Sequence, residues 1–383
     1  MNFEFATATK IIFGAGKLRE IDNYAAPMGK KALLVMGHNP ERARTLIQNL
    51  TIHGIESVIF SVSGEPQIAT AQAGVTLARE SGCDLVIAFG GGSVLDSGKA
   101  IAILATNEGE PLDYLEVIGK GLPLKNLPLP MIAIPTTAGT GSEVTANAVL
   151  SSPEHKVKVS LRSPMMLPRL ALVDPELTYD LPAEITASTG MDALTQVIEP
   201  FVSNKANPIT DALCREGILR AGRALRLVVQ SGTENFAARE DMALASLLGG
   251  MALANAKLGA VHGFAGVIGG MFDAPHGAVC AALLPYVMEV NLRALRERDH
   301  HSEALRRYVE IGQLLTGRTD AAAGVAWVIE TCLMLKIPPL GKYSITAADI
   351  PAIVEKSANA SSMKGNPIVL TPHELTEIMQ KAL

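Results

Sequence analysis

The run Leu85-Val-Ile-Ala-Phe-Gly-Gly-Gly-Ser-Val-Leu-Asp-Ser-Gly-Lys-Ala-Ile-Ala-Ile-Leu104 decides the fold. It opens continuously apolar, as a strand buried on both faces requires, and after three glycines the apolar spacing turns helical. Strand, tight turn and helix therefore follow one another. At such a junction Gly90, Gly91 and Gly92 let backbone N–H groups approach an anion, and the new helix directs its free N–H groups and positive dipole end to the same point. A phosphate fits there. Ser93 is placed to cap the helix or to donate to a phosphate oxygen, while Asp96 and Lys99 share one helix face near the turn. A glycine-rich turn that holds nothing is the competing reading, and the spacing is not that of the GxGxxG fingerprint.

The chain has 383 residues, enough for two domains at ~150 residues each. It is 48% hydrophobic and 19% charged, which suits a large core and excludes a disordered chain. A net charge of −5 with interspersed signs marks no surface for nucleic acid or an anionic membrane. The basic residues from Arg293 to Arg298 are mixed with acids and read as the solvated face of a helix. Cys83, Cys214, Cys280 and Cys332 form no CxxC pair, so they are expected to be reduced, mostly buried thiols of a cytoplasmic protein. No secretory signal and no apolar run of membrane-spanning length is expected.

Working outward, residues 3–13 read as an edge strand or hairpin, Lys31–Met36 and Ser57–Val62 as strands, and a helix to about Leu50 and another over Ile68–Ser81 as their partners. Leu129–Pro135 is another apolar strand, running into Thr136-Thr-Ala-Gly-Thr-Gly-Ser-Glu143. Hydroxyls and glycines directly after a strand suit the lining of a polar ligand, or a plain surface loop. Strands alternating with helices predict a doubly wound parallel sheet. Beyond Leu181-Pro182 the strand signals stop and helical periodicity continues, interrupted at Pro200, Pro208, Pro275, Pro285 and Pro338-Pro339. The expected fold is an α/β N-terminal domain over 1–182, with a doubly wound parallel sheet, plus an all-α C-terminal domain over 183–383.

The helical half has its own candidate site. Asp192 and Gln196 fall on one helix face, and His262 and His276 lie in a glycine-rich region nearly free of charge. One carboxylate and two imidazoles would give a divalent metal three ligands and leave a position open. Either histidine alone is more simply a hydrogen-bonded core residue; His300 and His301 read as surface residues.

These motifs together resemble the iron-containing, or group III, alcohol dehydrogenase family across essentially the whole chain: GGGSVLDSGKAIA at 90–102, PTTAGTGSEVT at 135–145, LALVDPELT at 170–178, GMDALTQVIEPF at 190–201, and VHGFAG with APHGAV at 261–279. The resemblance implies an N-terminal dinucleotide-binding domain, a helical domain, a metal between them and a homodimer. By position, Gly90, Gly91, Gly92 and Ser93 resemble the turn that holds the cofactor pyrophosphate, and Asp96 the motif carboxylate after it. Thr136, Thr137, Thr140, Gly141 and Ser142 look like the wall along adenine and ribose, and Lys158 like a lysine on the nicotinamide ribose. Asp192, His262 and His276 match three of four usual metal ligands, and Gln196 stands where the family has a fourth, a histidine. Gly266 stands where a further histidine usually faces the substrate.

The resemblance implies hydride transfer between NAD(P) and an alcohol, aldehyde or ketone, with a divalent metal, Fe(II) or Zn(II), polarising the substrate oxygen. Gln196 is a weaker ligand than imidazole, but three ligands plus water form a workable zinc site, as in the related glycerol dehydrogenases. Gly37 stands after the Lys31–Met36 strand, where NAD-selective members carry an acid, and Arg42 and Arg44 follow, so NADP is expected to be accepted. Asn147, Phe201 and Phe264 fall beside the motifs as pocket or packing residues. Two alternatives stand beside this reading. One is a metal-poor, degenerate member that binds nucleotide with weak or no activity; the other is a dehydroquinate-synthase-like lyase, for which the helical half lacks a basic phosphate set.

Overall fold

A computed structural model describes residues 2–231 and 235–383. The chain divides into two compact units. The α/β unit comprises residues 7–137 and 141–178, and the helical unit runs from 179 to the C-terminus. The segment ending at Ala6 and residues 138–140 also belong to the helical unit. The change of unit therefore falls at 178/179 rather than 182/183, and two short stretches of the N-terminal half cross over. Side-chain hydrogen bonds explain both. Ala6 exchanges backbone bonds with the Asn255 amide at 2.7 and 2.8 Å, and the Gly139 carbonyl accepts from Gln196 at 2.9 Å.

In the α/β unit the strands are β1 (Ile11–Phe13), β2 (Lys31–Met36), β3 (Glu56–Ser61), β4 (Leu85–Gly90), β5 (Met131–Pro135), β6 (Asn147–Ser152), β7 (Val157–Arg162) and β8 (Leu170–Val173). Its helices are α1 (Asp22–Ala25), α2 (Arg44–Ile52), α3 (Ile68–Glu80), α4 (Gly92–Leu104) and α5 (Pro111–Tyr114). Six strands form one parallel sheet in the order β1-β8-β5-β4-β2-β3. Leu33, Val35, Val86 and Ala88 enter the core on one face; Ala32, Leu34, Met36, Ile87 and Phe89 enter the core on the other. That two-sided burial is why β2 and β4 read as unbroken apolar runs.

The chain winds from β2 to β3 on one side and then crosses to β4 on the other, so the order reverses between β2 and β4. Open parallel sheets bind ligands at such a reversal, beyond the carboxyl ends of the strands. Gly37 and Gly90 to Gly92 stand there, since Met36 pairs with Phe89 in register. One expectation needs correction and one element was not anticipated. Residues 3–10 form no strand, leaving only Ile11–Phe13 at the sheet edge, and β6 and β7 form an antiparallel hairpin.

A buried knot fixes that hairpin. Lys99, 1% exposed, donates to the Ser142 carbonyl and the Thr145 hydroxyl and pairs with Asp96 at 3.0 Å. Asp96 also accepts from the Ser142 hydroxyl and from the Val149 N–H of β6.

The helical unit holds α6 (Ala183–Val202), α7 (Pro208–Gln230), α8 (Phe236–Ala256), α9 (Ala260–Met271), α10 (His276–Arg298), α11 (Glu303–Thr316), α12 (Ala321–Met334), α13 (Ile350–Ala358) and α14 (Pro372–Ala382). Pro200 and Pro285 lie inside α6 and α10 rather than interrupting them. A proline frees the carbonyl four residues earlier. For Pro285 that carbonyl, Ala281, accepts the Cys332 thiol at 3.4 Å. The α10 sequence is apolar enough to cross a bilayer, but 83% of its apolar window is packed inside the unit. Its basic end is no bare solvated face either. Arg293 pairs with Glu377 and Arg298 with Glu374, bracing α10 against α14.

Glu143, 2% exposed, is raised to about 7 by burial, against its own backbone N–H and the Lys99 ammonium. The native state then holds a proton that the unfolded chain releases near its ordinary value of 4.5. Stability is therefore fully present below that value and declines as pH rises toward about 7, by about 3 kcal/mol. Thermal unfolding scans across this window should show the decline in the native chain and a flatter profile in Glu143→Gln.

Candidate active site

In the helical unit, α6 carries Asp192, Gln196 and Glu199 on one face, because residues four and seven apart nearly superpose around a helix. His262 is in the first turn of α9, and His276 opens α10. Close helix approach depends on two glycines. A Cβ at Gly277 would lie 2.4 Å from the Ser188 carbonyl oxygen, and one at Gly249 would lie 3.1 Å from Gln196 Cβ. A larger residue at Gly277 would push α10, and His276 with it, away from α6.

The structure brings three predicted ligands together. His262 Nε2 lies 3.4 Å and His276 Nε2 3.8 Å from Asp192 Oδ1. Cys280, one turn beyond His276, completes the cluster, with Sγ 3.9 Å from His262 Nε2 and 3.7 Å from His276 Nε2. The four ligand atoms all lie within 4.8 Å of one another.

Glu199 holds this arrangement from behind. Its Oε1 accepts from the Val261 N–H at 2.7 Å, and its Oε2 accepts from His262 Nδ1 at 2.7 Å. A carboxylate at the start of α9 thus meets the helix's unpaired N–H groups and its positive dipole end. The same carboxylate can only accept, so Nδ1 carries the hydrogen and Nε2 turns its lone pair toward Asp192.

Two acceptors then face each other, and only a second proton or a cation can lie between them. Asp192 Oδ1 and Gln196 Oε1 are both buried without a hydrogen-bond donor. Burial alone would push His262 down, yet Cys280, Asp192 and Glu199 together raise it well above its ordinary value. His276 is also raised, with burial outweighed by Cys280 and Asp192. Burial likewise opposes ionisation of Asp192, but the imidazoles of His276 and His262 hold its carboxyl below the usual range. Two imidazoles, a carboxylate with an orphaned oxygen and a thiol are a donor set suited to a divalent transition metal.

Gln196 reaches the cluster with one end only. Its amide nitrogen donates to the Gly139 carbonyl at 2.9 Å, which leaves the oxygen as its remaining donor atom. At Gly266, one turn beyond His262, a Cβ would meet nothing within 4 Å. Phe201 and Phe264 are fully buried core residues, and His300 and His301 are exposed.

In the α/β unit the expected strand, tight turn and helix form around the glycines. Gly91 is the N-cap of α4 and no side chain caps the helix, so Ser93 does not act as the cap. The Thr136 N–H bonds to the Gly90 carbonyl at 2.9 Å, and a Cβ at Gly91 would lie 3.4 Å from the Thr137 hydroxyl oxygen. Gly90, Gly91, Thr136 and Thr137 therefore lie together at the start of α4, whose first turn has no side-chain cap. The other cofactor residues behave differently. Asp96 and Ser142 bond to each other within the hairpin knot, and Gly141 turns the chain in the left-handed region at φ +58°. Thr140 belongs to the helical unit, and Lys158 pairs with Glu65 at 3.0 Å. A Cβ at Gly37 would meet nothing within 4 Å.

The sequence reading missed Glu199 and the placement of Cys280. Both carried a signal. Glu199 repeats the helical face of Asp192 and Gln196, and Cys280 follows His276 by one turn.

Residues 8–175 match the family described as iron-containing alcohol dehydrogenase, and residues 186–383 match its C-terminal region. The 1,3-propanediol dehydrogenase of Klebsiella pneumoniae is 38% identical over 366 residues, 92% of each chain. A crystal structure of a 1,3-propanediol oxidoreductase superposes with a TM-score of 0.92 at 34% identity over 100% of both chains. The sulfoacetaldehyde reductase of Bifidobacterium kashiwanohense, solved in complex with NAD+, gives 0.89 at 30% identity, covering 100% of this chain and 99% of that one.

Glu199→Gln keeps the shape but removes the charge that orients His262. Metal affinity measured by chelator competition should fall about 10- to 100-fold, while circular dichroism stays that of the native fold.

Proposed function

The chain belongs to the iron-containing alcohol dehydrogenase family, and we propose that this alcohol oxidoreductase moves a hydride between a nicotinamide dinucleotide and a small primary alcohol or its aldehyde. The observation that carries the proposal is the buried cluster of Asp192, His262 and His276 with its orphaned oxygen. When bound, a divalent metal supplies a Lewis acid for the substrate oxygen, and the nicotinamide supplies the hydride acceptor or donor.

Asp192, His262 and His276 would hold the metal, and Glu199 fixes the His262 tautomer that leaves Nε2 free for it. Gly266 leaves the surface beside His262 open, and with no histidine there the alcohol's proton would pass to water or to the cofactor ribose. The cradle of Gly90, Gly91 and Gly92 with the first turn of α4 binds the pyrophosphate. The similarity to 1,3-propanediol enzymes supports a small primary alcohol as the substrate class.

NADP is accepted beside NAD because Gly37 places no carboxylate beyond β2 to repel a 2′-phosphate. The nearby arginines contribute less than the sequence suggests. Arg42 donates to the Leu177 carbonyl at 2.8 Å, and Arg44 faces Glu41 at 3.4 Å.

Protein purified without oxygen is expected to carry close to one divalent metal per chain and to oxidise small primary alcohols with either cofactor. Chelation should abolish turnover and added metal restore it. Nucleotide binding without metal uptake or turnover would replace this reading with that of a degenerate, nucleotide-binding member. Introducing Gly37→Asp should shift the ratio of kcat/KM values toward NAD by about tenfold or more; an unchanged ratio would show that position 37 does not face the ribose.

A further inference from the structure

We propose that Cys280 is a metal ligand in this chain, its thiolate completing a set with Asp192, His262 and His276 that selects zinc over iron. The inference rests on the cluster being a metal site, as argued above. It adds a ligand, and it removes Gln196 from that role.

The spacing carries it. Ligand atoms held in a tetrahedron at about 2.0–2.2 Å for nitrogen and oxygen and about 2.3 Å for sulfur lie roughly 3.3–3.6 Å from one another. Cys280 Sγ lies 3.7 and 3.9 Å from the two Nε2 atoms, which themselves lie 3.8 and 3.4 Å from Asp192 Oδ1. These four pairs lie at or slightly beyond tetrahedral spacing, and all four atoms lie within 4.8 Å of one another. A second observation is independent of the thiol: Asp192, 2% exposed, turns Oδ1 into the cluster without a hydrogen-bond donor. His276 and Cys280 are one helical turn apart on α10, so both side chains leave the helix on the same side.

Chemistry favours the sulfur over the amide. Gln196 is anchored through its nitrogen to the Gly139 carbonyl, and its oxygen is neutral. When the sulfur–metal bond forms, the S–H bond breaks and its proton leaves to solvent, with no change of oxidation state. The Asp192 carboxylate and the Cys280 thiolate then carry two negative charges against the two positive charges of the ion. The ion and its ligands are then neutral together, while the Glu199 charge is met by the Val261 N–H and by His262 Nδ1. A thiolate beside two imidazoles and one carboxylate is a set suited to zinc.

The test loads the full-length protein with Co(II) and records its absorption. A sulfur-to-cobalt charge-transfer band in the near ultraviolet is expected, together with the strong visible bands of a tetrahedral site. Cys280→Ser should still bind cobalt, lose the charge-transfer band and hold Zn(II) about 100-fold more weakly. Gln196→Leu should keep the band. X-ray absorption at the zinc edge of the unmodified protein needs no variant, and should show one sulfur neighbour at about 2.3 Å. A metal bound with only nitrogen and oxygen neighbours, or a band that survives in Cys280→Ser, overturns the assignment and leaves the proposed oxidoreductase function standing. Failure to take up Co(II) or Zn(II) at all overturns both.

Discussion

The buried Glu199 carboxylate is the constraint on which the helical unit's chemistry depends. It is rooted on α6, yet it binds the first turn of α9 and one nitrogen of His262. An anion in that position satisfies N–H groups that a helix start leaves unpaired, and it makes a histidine tautomer out of the same contact. Close approach is what permits it. A Cβ at Gly259 would lie 2.9 Å from Glu199 Oε1 and 3.0 Å from Asn366 Oδ1, so any larger side chain there displaces the carboxylate. Asn366 in turn accepts from the Ala260 N–H and donates to Asn291, so the helix start is held from two sides. Helix packing and ligand geometry are therefore set by the same atoms.

The α/β unit solves a different problem with a comparable device. A cradle for a phosphate must stay bare, so the side chains that stiffen it have to act from elsewhere. Lys99 and Asp96 do so by turning inward to the hairpin and the Ser142–Thr145 segment, which leaves the glycines and the first α4 turn without a side-chain cap. Their spacing near the turn suggested contact with a ligand. The structure shows their charges directed to each other, to the Ser142 and Thr145 hydroxyls and to two backbone groups, where burial makes each bond count for more.

Legibility in the sequence followed the strength of the periodic signal. β2, β4, β5, α3 and α4 are continuous apolar runs or clean helical repeats, and their limits agree with the sequence reading within two residues. The β6–β7 hairpin was invisible because half its residues are polar and its pairing is fixed by Asp96, 53 residues from Val149 in the chain. Pro200 and Pro285 misled for a related reason. A proline is a helix breaker only where its lost bond stays lost, and the Cys332 thiol recovers one of them from a distant helix. Asp192, His262 and His276 were legible as residue types without their convergence. Glu199 and Cys280 lay in the quoted motifs, but a glutamate in an apolar helix and a lone cysteine carry no chemistry until tertiary packing supplies their neighbours.

Position 196 shows how a ligand position changes its task. A glutamine there keeps a long polar arm but offers two unlike ends, and the donor end is claimed by the Gly139 carbonyl. Gly139 has no room to yield: a Cβ on it would lie 2.9 Å from Thr189 Cβ and 3.1 Å from the Thr189 carbonyl. The amide thus draws residues 138–140 into the helical unit, though their sequence neighbours belong to the α/β unit. Glutamine makes the brace without adding charge to the buried cluster. Once position 196 serves as a brace, the side chain other than Asp192 that lies within 4 Å of both imidazole Nε2 atoms is Cys280 on α10.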